Sequence, residues 1–185
     1  THPFMAGFAA SLAAGNVACL RYQFPSMERG SKRPDSAAAA HATVRAAVAA
    51  AAKLAPGLVL IAGGKSFGGR MTSQAQAESP LPAVRGVAFL GFPLHPAGKP
   101  GVARAEHLTR VDVPMLFLQG DRDLLADLAL LGPVVERLGT RARLVIVPQA
   151  DHSFHVPARS GRTDAEVRGQ VAAALRRWLD ELIGG

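Results

Sequence analysis

Short apolar runs alternate along the whole chain with longer segments in which apolar residues recur every three or four positions. The short runs predict five strands, at Asn16–Tyr22, Leu58–Ala62, Val84–Phe92, Val113–Gln119 and Arg143–Val147. The longer segments predict helices at Thr1–Gly15, from Asp35 or Ser36 to Leu54, at Phe67–Glu78, at Leu124–Leu138 with a break near Gly132-Pro133, and from Thr163 or Asp164 to Ile183. Thr163 and Glu166 have capping-box spacing. This alternation predicts a single α/β domain over residues 1–185, with a mostly parallel sheet covered by helices on both faces.

One serine motif stands between a predicted strand and a predicted helix. Gly64-Lys65-Ser66-Phe67-Gly68 fits G-x-S-x-G, in which a serine sits on a sharp turn and its flanking glycines let strand and helix approach closely. Gly64-Lys65-Ser66 also matches the end of a phosphate-binding G-x-x-x-x-G-K-[ST] motif. The first glycine of that motif would fall at Val59, a β-branched residue inside a strand, so nucleotide binding is disfavoured.

A serine becomes a strong nucleophile when a histidine accepts its proton and an acid orients that histidine. Asp123 follows the strand that ends at Gln119, and His152 follows the strand that ends near Pro148. Ligand sites of parallel sheets form at these carboxyl ends, and the chain order Ser, Asp, His is that of the α/β-hydrolases. Asp121 and His155 are the competing acid and base; we favour Asp123 and His152, because Asp121 stands at the strand exit and His152 lies in the turn directly after its strand.

Composition narrows the classes of function. The chain has 185 residues, a net charge of +7 and one cysteine, Cys19. Its arginines are scattered, and it offers one Tyr and one Trp for base stacking, so we expect mild attraction of anionic substrates and no nucleic-acid partner. Charged and polar residues interrupt every apolar run before membrane-spanning length, which predicts a soluble protein with no membrane partner. The lone cysteine favours a reducing cytoplasm. We find no metal-ligand spacing and predict no metal and no cofactor.

Six motifs together resemble one known group. They are His2-Pro-Phe-Met5, Leu20-Arg-Tyr-Gln-Phe-Pro25, Gly63-Gly-Lys-Ser-Phe-Gly-Gly-Arg70, Gly91-Phe-Pro-Leu-His-Pro96, Gly120-Asp-Arg-Asp123 and Asp151-His-Ser-Phe154. The chain resembles α/β-hydrolases of the dienelactone-hydrolase-like type, and within them the KANL/TEX-type family. The resemblance implies an α/β-hydrolase fold with Ser66 as nucleophile, Asp123 as acid and His152 as base. It also implies that the Phe67 N–H is one oxyanion donor.

The resemblance also implies a segment upstream of Thr1. Members of the family carry there a strand and a His-Gly-Ala-Gly-like loop that supplies the second oxyanion donor. That strand would lie between the predicted strands Val17–Tyr22 and Leu58–Ala62. We therefore expect this chain to be an incomplete form of the natural protein. Loss of one oxyanion donor costs about 3 kcal/mol of barrier stabilisation, so we expect these residues alone to be crippled or unfolded.

Three further residues are candidates for supporting roles. Lys65 beside the nucleophile either faces an anionic substrate group or is solvated, and His95 in the proline-rich loop is a candidate substrate-binding residue. Arg70 is expected to pair with a carboxylate inside the fold. The chain after Phe92 is too short for a cap domain, which favours small soluble substrates. The predicted function is a serine hydrolase that cleaves an ester or related acyl bond; the alternative is a non-catalytic, hydrolase-like interaction module of unknown oligomeric state.

Overall fold

The computed structural model describes residues 3–184, so the predictions that fall on Thr1 and His2 lie outside the described residues. Six α-helices are present in this part of the chain: α1 Pro3–Ala14, α2 Pro25–Glu28, α3 Ala37–Leu54, α4 Phe67–Glu78, α5 Leu128–Leu138 and α6 Asp164–Gly184. The four strands are β1 Leu60–Lys65, β2 Val84–Leu90, β3 Met115–Gly120 and β4 Ala142–Val147. Short 3₁₀ segments occur at Ala103–Arg110, Gly139–Arg141 and Ala158–Ser160.

The four strands form one parallel sheet in the order β1-β2-β3-β4. Apolar side chains pack on both of its faces. One core joins the sheet to α3, α4 and α5, and the other joins it to α1 and α6. The predicted parallel sheet with helices on both faces is therefore confirmed. Because all strands run the same way, the residues that follow them lie along one edge of the sheet.

The predicted strand Asn16–Tyr22 is wrong. Residues 17–24 have no regular secondary structure, and most of them are exposed. A strand is stabilised by backbone hydrogen bonds to a neighbouring strand, and none of the strands in the described residues pairs with this segment. The apolar side chains of this segment make local contacts instead, since the Tyr22 and Phe24 rings pack edge to face with their centres 5.7 Å apart.

The fifth helix starts later than predicted and is unbroken. Asp127 is its N-cap, because the Asp127 carboxylate accepts a hydrogen bond from the Ala129 amide at 2.9 Å. The predicted break at Gly132-Pro133 is wrong, since Pro133 lies inside the helix. Residues 123–127 are thus left as a turn beside the sheet edge.

The last helix begins as its sequence predicts. The Thr163 hydroxyl accepts a hydrogen bond from the Glu166 amide at 3.2 Å, and the Glu166 carboxylate accepts one from the Thr163 amide at 2.7 Å. The predicted capping box is therefore confirmed.

The connection from β2 to β3 is the longest between two strands of the sheet. Residues 91–114 carry one regular element, the 3₁₀ segment Ala103–Arg110, which packs against α4. No cap domain rises above the sheet edge in the described part of the chain. Within residues 3–184, no helix has the length and apolar character needed to cross a membrane.

Candidate active site

Ser66 occupies a sharp turn between β1 and α4. Its backbone has φ 51° and ψ −117°, a left-handed conformation that a side chain with a Cβ rarely adopts, and its amide donates a hydrogen bond to the Leu90 carbonyl at 3.0 Å. Two glycines allow this turn. A Cβ on Gly64 would lie 3.0 Å from the Gly68 carbonyl carbon, and a Cβ on Gly69 would lie 2.7 Å from the Gly64 oxygen. The strained turn places the Ser66 hydroxyl at the carboxyl edge of the sheet.

The side chains of Ser66, His152 and Asp123 form a continuous chain of hydrogen bonds. Ser66 Oγ lies 2.7 Å from His152 Nε2, and His152 Nδ1 lies 2.7 Å from Asp123 Oδ2. The imidazole is 23% exposed, whereas the Asp123 side chain is fully buried. The structure thus brings together the three residues named from the sequence, which come from three different loops at one edge of the sheet. Their catalytic roles stay predictions.

The carboxylate of Asp123 is held on both oxygens. Oδ1 accepts a hydrogen bond from the Leu125 amide at 2.8 Å, and Oδ2 accepts one from Gln119 Nε2 at 2.5 Å as well as facing His152. Gln119 is the last residue but one of β3 and has no exposed surface. Sequence reasoning missed Gln119. The available signal was a polar residue at the end of an otherwise apolar strand, four positions before the acid.

The competing acid and base lie elsewhere. Asp121 is exposed in the turn after β3. The His155 ring pairs with Asp164 at 2.9 Å, which raises the pKa of His155 chiefly through that hydrogen bond. Asp151 braces the turn that carries His152, because Asp151 Oδ1 accepts hydrogen bonds from the Ser153 and His155 amides at 2.7 and 3.0 Å.

The start of α4 offers a site for a developing negative charge. Phe67 is the first residue of the helix, so its amide has no carbonyl partner within the helix. The partial positive charge of a helix N-terminus adds to that effect. Gly91, after β2, lies beside the imidazole, since a Cβ there would lie 3.4 Å from His152 Nδ1.

Lys65 is half-buried at the end of β1. Burial lowers the pKa of Lys65, and the nearby carboxylates of Asp123 and Asp151 oppose that change. The ammonium group is therefore close enough to Asp123 and Asp151 to interact with their charges. This position is consistent with contact to an anionic substrate group, which stays a prediction.

The side chain of His95 is buried and hydrogen-bonded within the protein. The ring is 5% exposed, its Nδ1 lies 2.9 Å from the Pro96 carbonyl, and its Nε2 accepts a hydrogen bond from the Asp127 amide at 3.0 Å. Both ring nitrogens are thus used inside the protein, where they join the loop after β2 to the turn that carries Asp123. The predicted substrate contact finds no support in this geometry.

Arg70 does not form the predicted carboxylate pair. Among the described residues its guanidinium makes no salt bridge, and its buried Nε has no hydrogen-bond partner. The guanidinium carbon lies 5.9 Å from the centre of the Phe67 ring. Burial, with a smaller contribution from nearby Arg104, lowers the pKa of Arg70. The pairing expected from the sequence is therefore wrong.

A cavity of about 660 Å³ lies beside His152 and Asp123. Its lining includes Asp121, Arg122, Leu124 and Asp151. Among residues 3–184, no group of three or more His, Cys, Asp or Glu side chains is arranged to hold a metal ion.

Comparison with known proteins agrees with this architecture. Residues 1–180 match the model of a family described as "Alpha/beta hydrolase domain". The chain resembles an α/β serine hydrolase homologue from Coxiella burnetii, with a TM-score of 0.71 and 19% identity over 93% of this chain and 76% of that one. A lidless α/β serine hydrolase from Xanthomonas campestris gives a TM-score of 0.69 at 23% identity, over 95% of this chain and 73% of that one.

A third solved structure is Est1E from Butyrivibrio proteoclasticus with bound ferulic acid. It gives a TM-score of 0.69 at 14% identity, over 100% of this chain and 84% of that one. At these identities the structural likeness bears on the fold alone. The α/β-hydrolase fold predicted from the sequence is confirmed.

Proposed function

Because this chain belongs to the alpha/beta hydrolase domain family, we propose that it is a serine hydrolase that cleaves an ester or related acyl bond through an acyl-serine intermediate. One observation carries the proposal: Ser66 Oγ, the His152 ring and the Asp123 carboxylate are linked by two contacts of 2.7 Å. The serine stands on a strained turn at a helix start, where attacking serines of this fold class are held. A buried acid, a partly exposed base and a partly exposed serine form the combination that acyl transfer requires.

In the proposed reaction Ser66 Oγ attacks the carbonyl carbon of the substrate while His152 Nε2 accepts the hydroxyl proton. Asp123 keeps the other ring nitrogen protonated and stabilises the imidazolium that forms. The Phe67 N–H donates to the carbonyl oxygen as that oxygen becomes negative. His152 then gives the proton to the leaving alcohol. A water molecule hydrolyses the acyl-serine by the same steps, with His152 again as base.

The proposed substrate is small and soluble. The cavity of about 660 Å³ beside His152 is open, and no cap domain covers it in the described residues. A long acyl chain would lack an enclosing apolar wall here, so lipase activity is disfavoured. Within the family we assign the chain to the dienelactone-hydrolase-like, KANL/TEX-type group on its six sequence motifs.

We also propose a reducing, cytoplasmic location. Cys19 is the one cysteine of the sequence, and its side chain is a free, exposed thiol. Free exposed thiols persist where glutathione and thioredoxin keep them reduced.

Labelling with a fluorophosphonate probe tests the proposal. The probe should modify Ser66 and leave the Ser66→Ala variant unlabelled. Ser73→Ala is the matched control, because Ser73 is also hydrogen-bonded to a histidine and should not contribute to labelling. If folded wild-type protein takes up no probe at Ser66, the hydrolase proposal fails and the non-catalytic interaction module takes its place.

A further inference from the structure

Gln119 connects two loops of the site through one fixed amide. Gln119 Oε1 accepts a hydrogen bond from the Phe92 backbone amide at 2.8 Å, and Gln119 Nε2 donates to Asp123 Oδ2 at 2.5 Å. The reversed amide would set Nε2 against a backbone donor and Oε1 against a carboxylate. Both contacts would be repulsive, so the surroundings allow one orientation of the amide.

The oxygen that Gln119 contacts is the one that faces the base. Asp123 Oδ2 accepts from Gln119 Nε2 and lies 2.7 Å from His152 Nδ1. A donor at this oxygen takes up part of its negative charge. The carboxylate is then a weaker acceptor for the imidazolium, so the protonated ring is stabilised less. Because the three groups are buried or half-buried, water screens this coupling poorly.

We propose that Gln119 is a positioning residue that sets the basicity of His152 by donating to the carboxylate of Asp123. The inference rests on the proposed function of the site, in which His152 must be unprotonated to accept the Ser66 proton. Gln119 itself makes no hydrogen bond to Ser66 and does not line the cavity beside His152. It acts through Asp123, and its second bond, to the Phe92 amide, fixes the amide at the distance that this requires.

Other charged groups lie around the His152–Asp123 pair and remain unchanged when Gln119 is replaced. Asp123 bonds to the ring from the turn after β3, and Asp151 comes from the same turn as the histidine. Lys65, at the end of β1, interacts with the charges of both carboxylates. Asp121 and Arg122 line the adjoining cavity. A change in the titration of His152 on replacing Gln119 therefore reports on the amide donor.

A titration of the wild-type protein by nuclear magnetic resonance tests the coupling directly. The ring signals of His152 and the side-chain amide signals of Gln119 are followed against pH. Because both groups bond to one carboxylate oxygen, the Gln119 signals should move with a midpoint within about 0.2 pH unit of the His152 midpoint. A Gln119 signal that does not respond while His152 titrates would overturn the inference, and no variant has to fold for this result.

Gln119→Met then removes the donor while keeping the length and the apolar volume of the side chain. The His152 midpoint should rise by about 0.5 to 1 pH unit, since a hydrogen bond to a charged group is lost. The acid limb of kcat/KM should move to higher pH by the same amount. Leu116→Ala is the control: Leu116 is equally buried on β3, so this variant should lower Tm without moving either midpoint.

These readouts separate the inference from the function on which it rests. A labelled Ser66 with an unmoved His152 midpoint in Gln119→Met would refute the role of Gln119 and leave the hydrolase intact. An unlabelled Ser66 with coupled Gln119 and His152 titrations would refute the hydrolase and leave the coupling in place.

Discussion

The helix that follows the serine turn contributes to two serine–histidine pairs. Ser66 stands at its start, 2.7 Å from His152, and Ser73 lies two turns further along, 2.8 Å from the ring of His107. The residue types and the distances match, yet the surroundings differ in each respect that matters for catalysis. Within residues 3–184 no carboxylate is hydrogen-bonded to the His107 ring, and Ser73 has no exposed surface.

Electrostatics separates the two histidines. Burial, with smaller contributions from Arg110, Arg70 and His41, lowers the pKa of His107 to about 4. Burial above all, and the positive neighbours to a smaller extent, make His107 a poor proton acceptor. His152 instead has Asp123 at 2.7 Å, whose negative charge stabilises an imidazolium.

The two serines differ in backbone conformation. Ser73 is an ordinary helical residue whose hydroxyl donates its proton to the Arg70 carbonyl at 3.0 Å. Ser66 has a positive φ and precedes the free amides of the helix start. A short serine–histidine distance is therefore a weak indicator of a nucleophile. The two pairs are distinguished by the carboxylate bonded to the histidine, by the exposure of the serine and by the backbone turn that holds it.

The largest expected effect is on turnover. Ser66→Ala should lower kcat for a small nitrophenyl ester by about 10⁶-fold, because the proposed nucleophile of a cooperating set is lost. Ser73→Ala should leave kcat within about threefold, as expected for a change outside the reacting atoms. Comparable losses in the two variants, measured as initial rates on folded protein, would remove the distinction between the pairs.

Replacing Asp123, the carboxylate bonded to His152, should have the second-largest effect on kcat. Asp123→Asn should lower kcat by about 10⁴-fold, since a neutral amide no longer holds the productive tautomer or the imidazolium. Asp121→Asn is the matched change in the same turn and should stay near the wild-type rate. The reverse pattern would transfer the role of acid to Asp121.

The Ser73–His107 pair should make the free energy of unfolding depend on pH. In the unfolded chain His107 binds a proton near its ordinary pKa of 6.5, whereas in the folded protein its pKa is about 4. Between these values the unfolded state binds more protons, so the free energy of unfolding falls as the pH is lowered from 6.5 towards 4. The expected loss by pH 4.5 is about 2 kcal/mol.

Urea unfolding at pH 7 and at pH 4.5 measures this effect. His107→Gln keeps a polar partner for Ser73 but cannot take up the proton, so this part of the pH dependence should disappear. An unchanged slope in the variant would show that acid sensitivity arises from other groups.

The smallest expected effect is the loss of the Ser73 hydroxyl. Ser73→Ala leaves the ring nitrogen of His107 without this hydrogen bond and should lower the free energy of unfolding by about 1 kcal/mol. Ser66→Ala should cost less, because Ser66 is partly exposed and strained. Urea unfolding at pH 7 compares the two variants, and a larger loss in Ser66→Ala would contradict the structural role assigned to Ser73.

Much of the fold and the position of the site could be predicted, because both depend on local patterns and one topological rule. The strands before Ser66, Asp123 and His152 are short apolar runs, and the carboxyl ends of parallel strands meet at one edge. From that rule alone, Ser66 and His152 are predicted to lie close together although they are 86 positions apart in the sequence.

What could not be predicted depends on partners distant in sequence. The segment Asn16–Tyr22 has strand-like residues, but a strand forms only where another strand offers hydrogen bonds. Arg70 was expected to find a carboxylate, and its surroundings supply a phenylalanine ring instead. Gln119 looked like the end of an apolar strand, and its amide bonds to Phe92 and Asp123 become visible only in three dimensions.

The order of the strands along the chain has a consequence for biosynthesis. Each strand adds to the sheet beside its predecessor, so β4 and the turn that carries His152 come last among the parts of the site. Because synthesis proceeds from the N-terminus, a nascent chain has already made the Ser66 turn and Asp123 while His152 is still to be translated. If the proposed triad operates, unfinished chains should not react with the fluorophosphonate probe, and labelling would mark chains in which translation has passed His152 and β4 has joined the sheet.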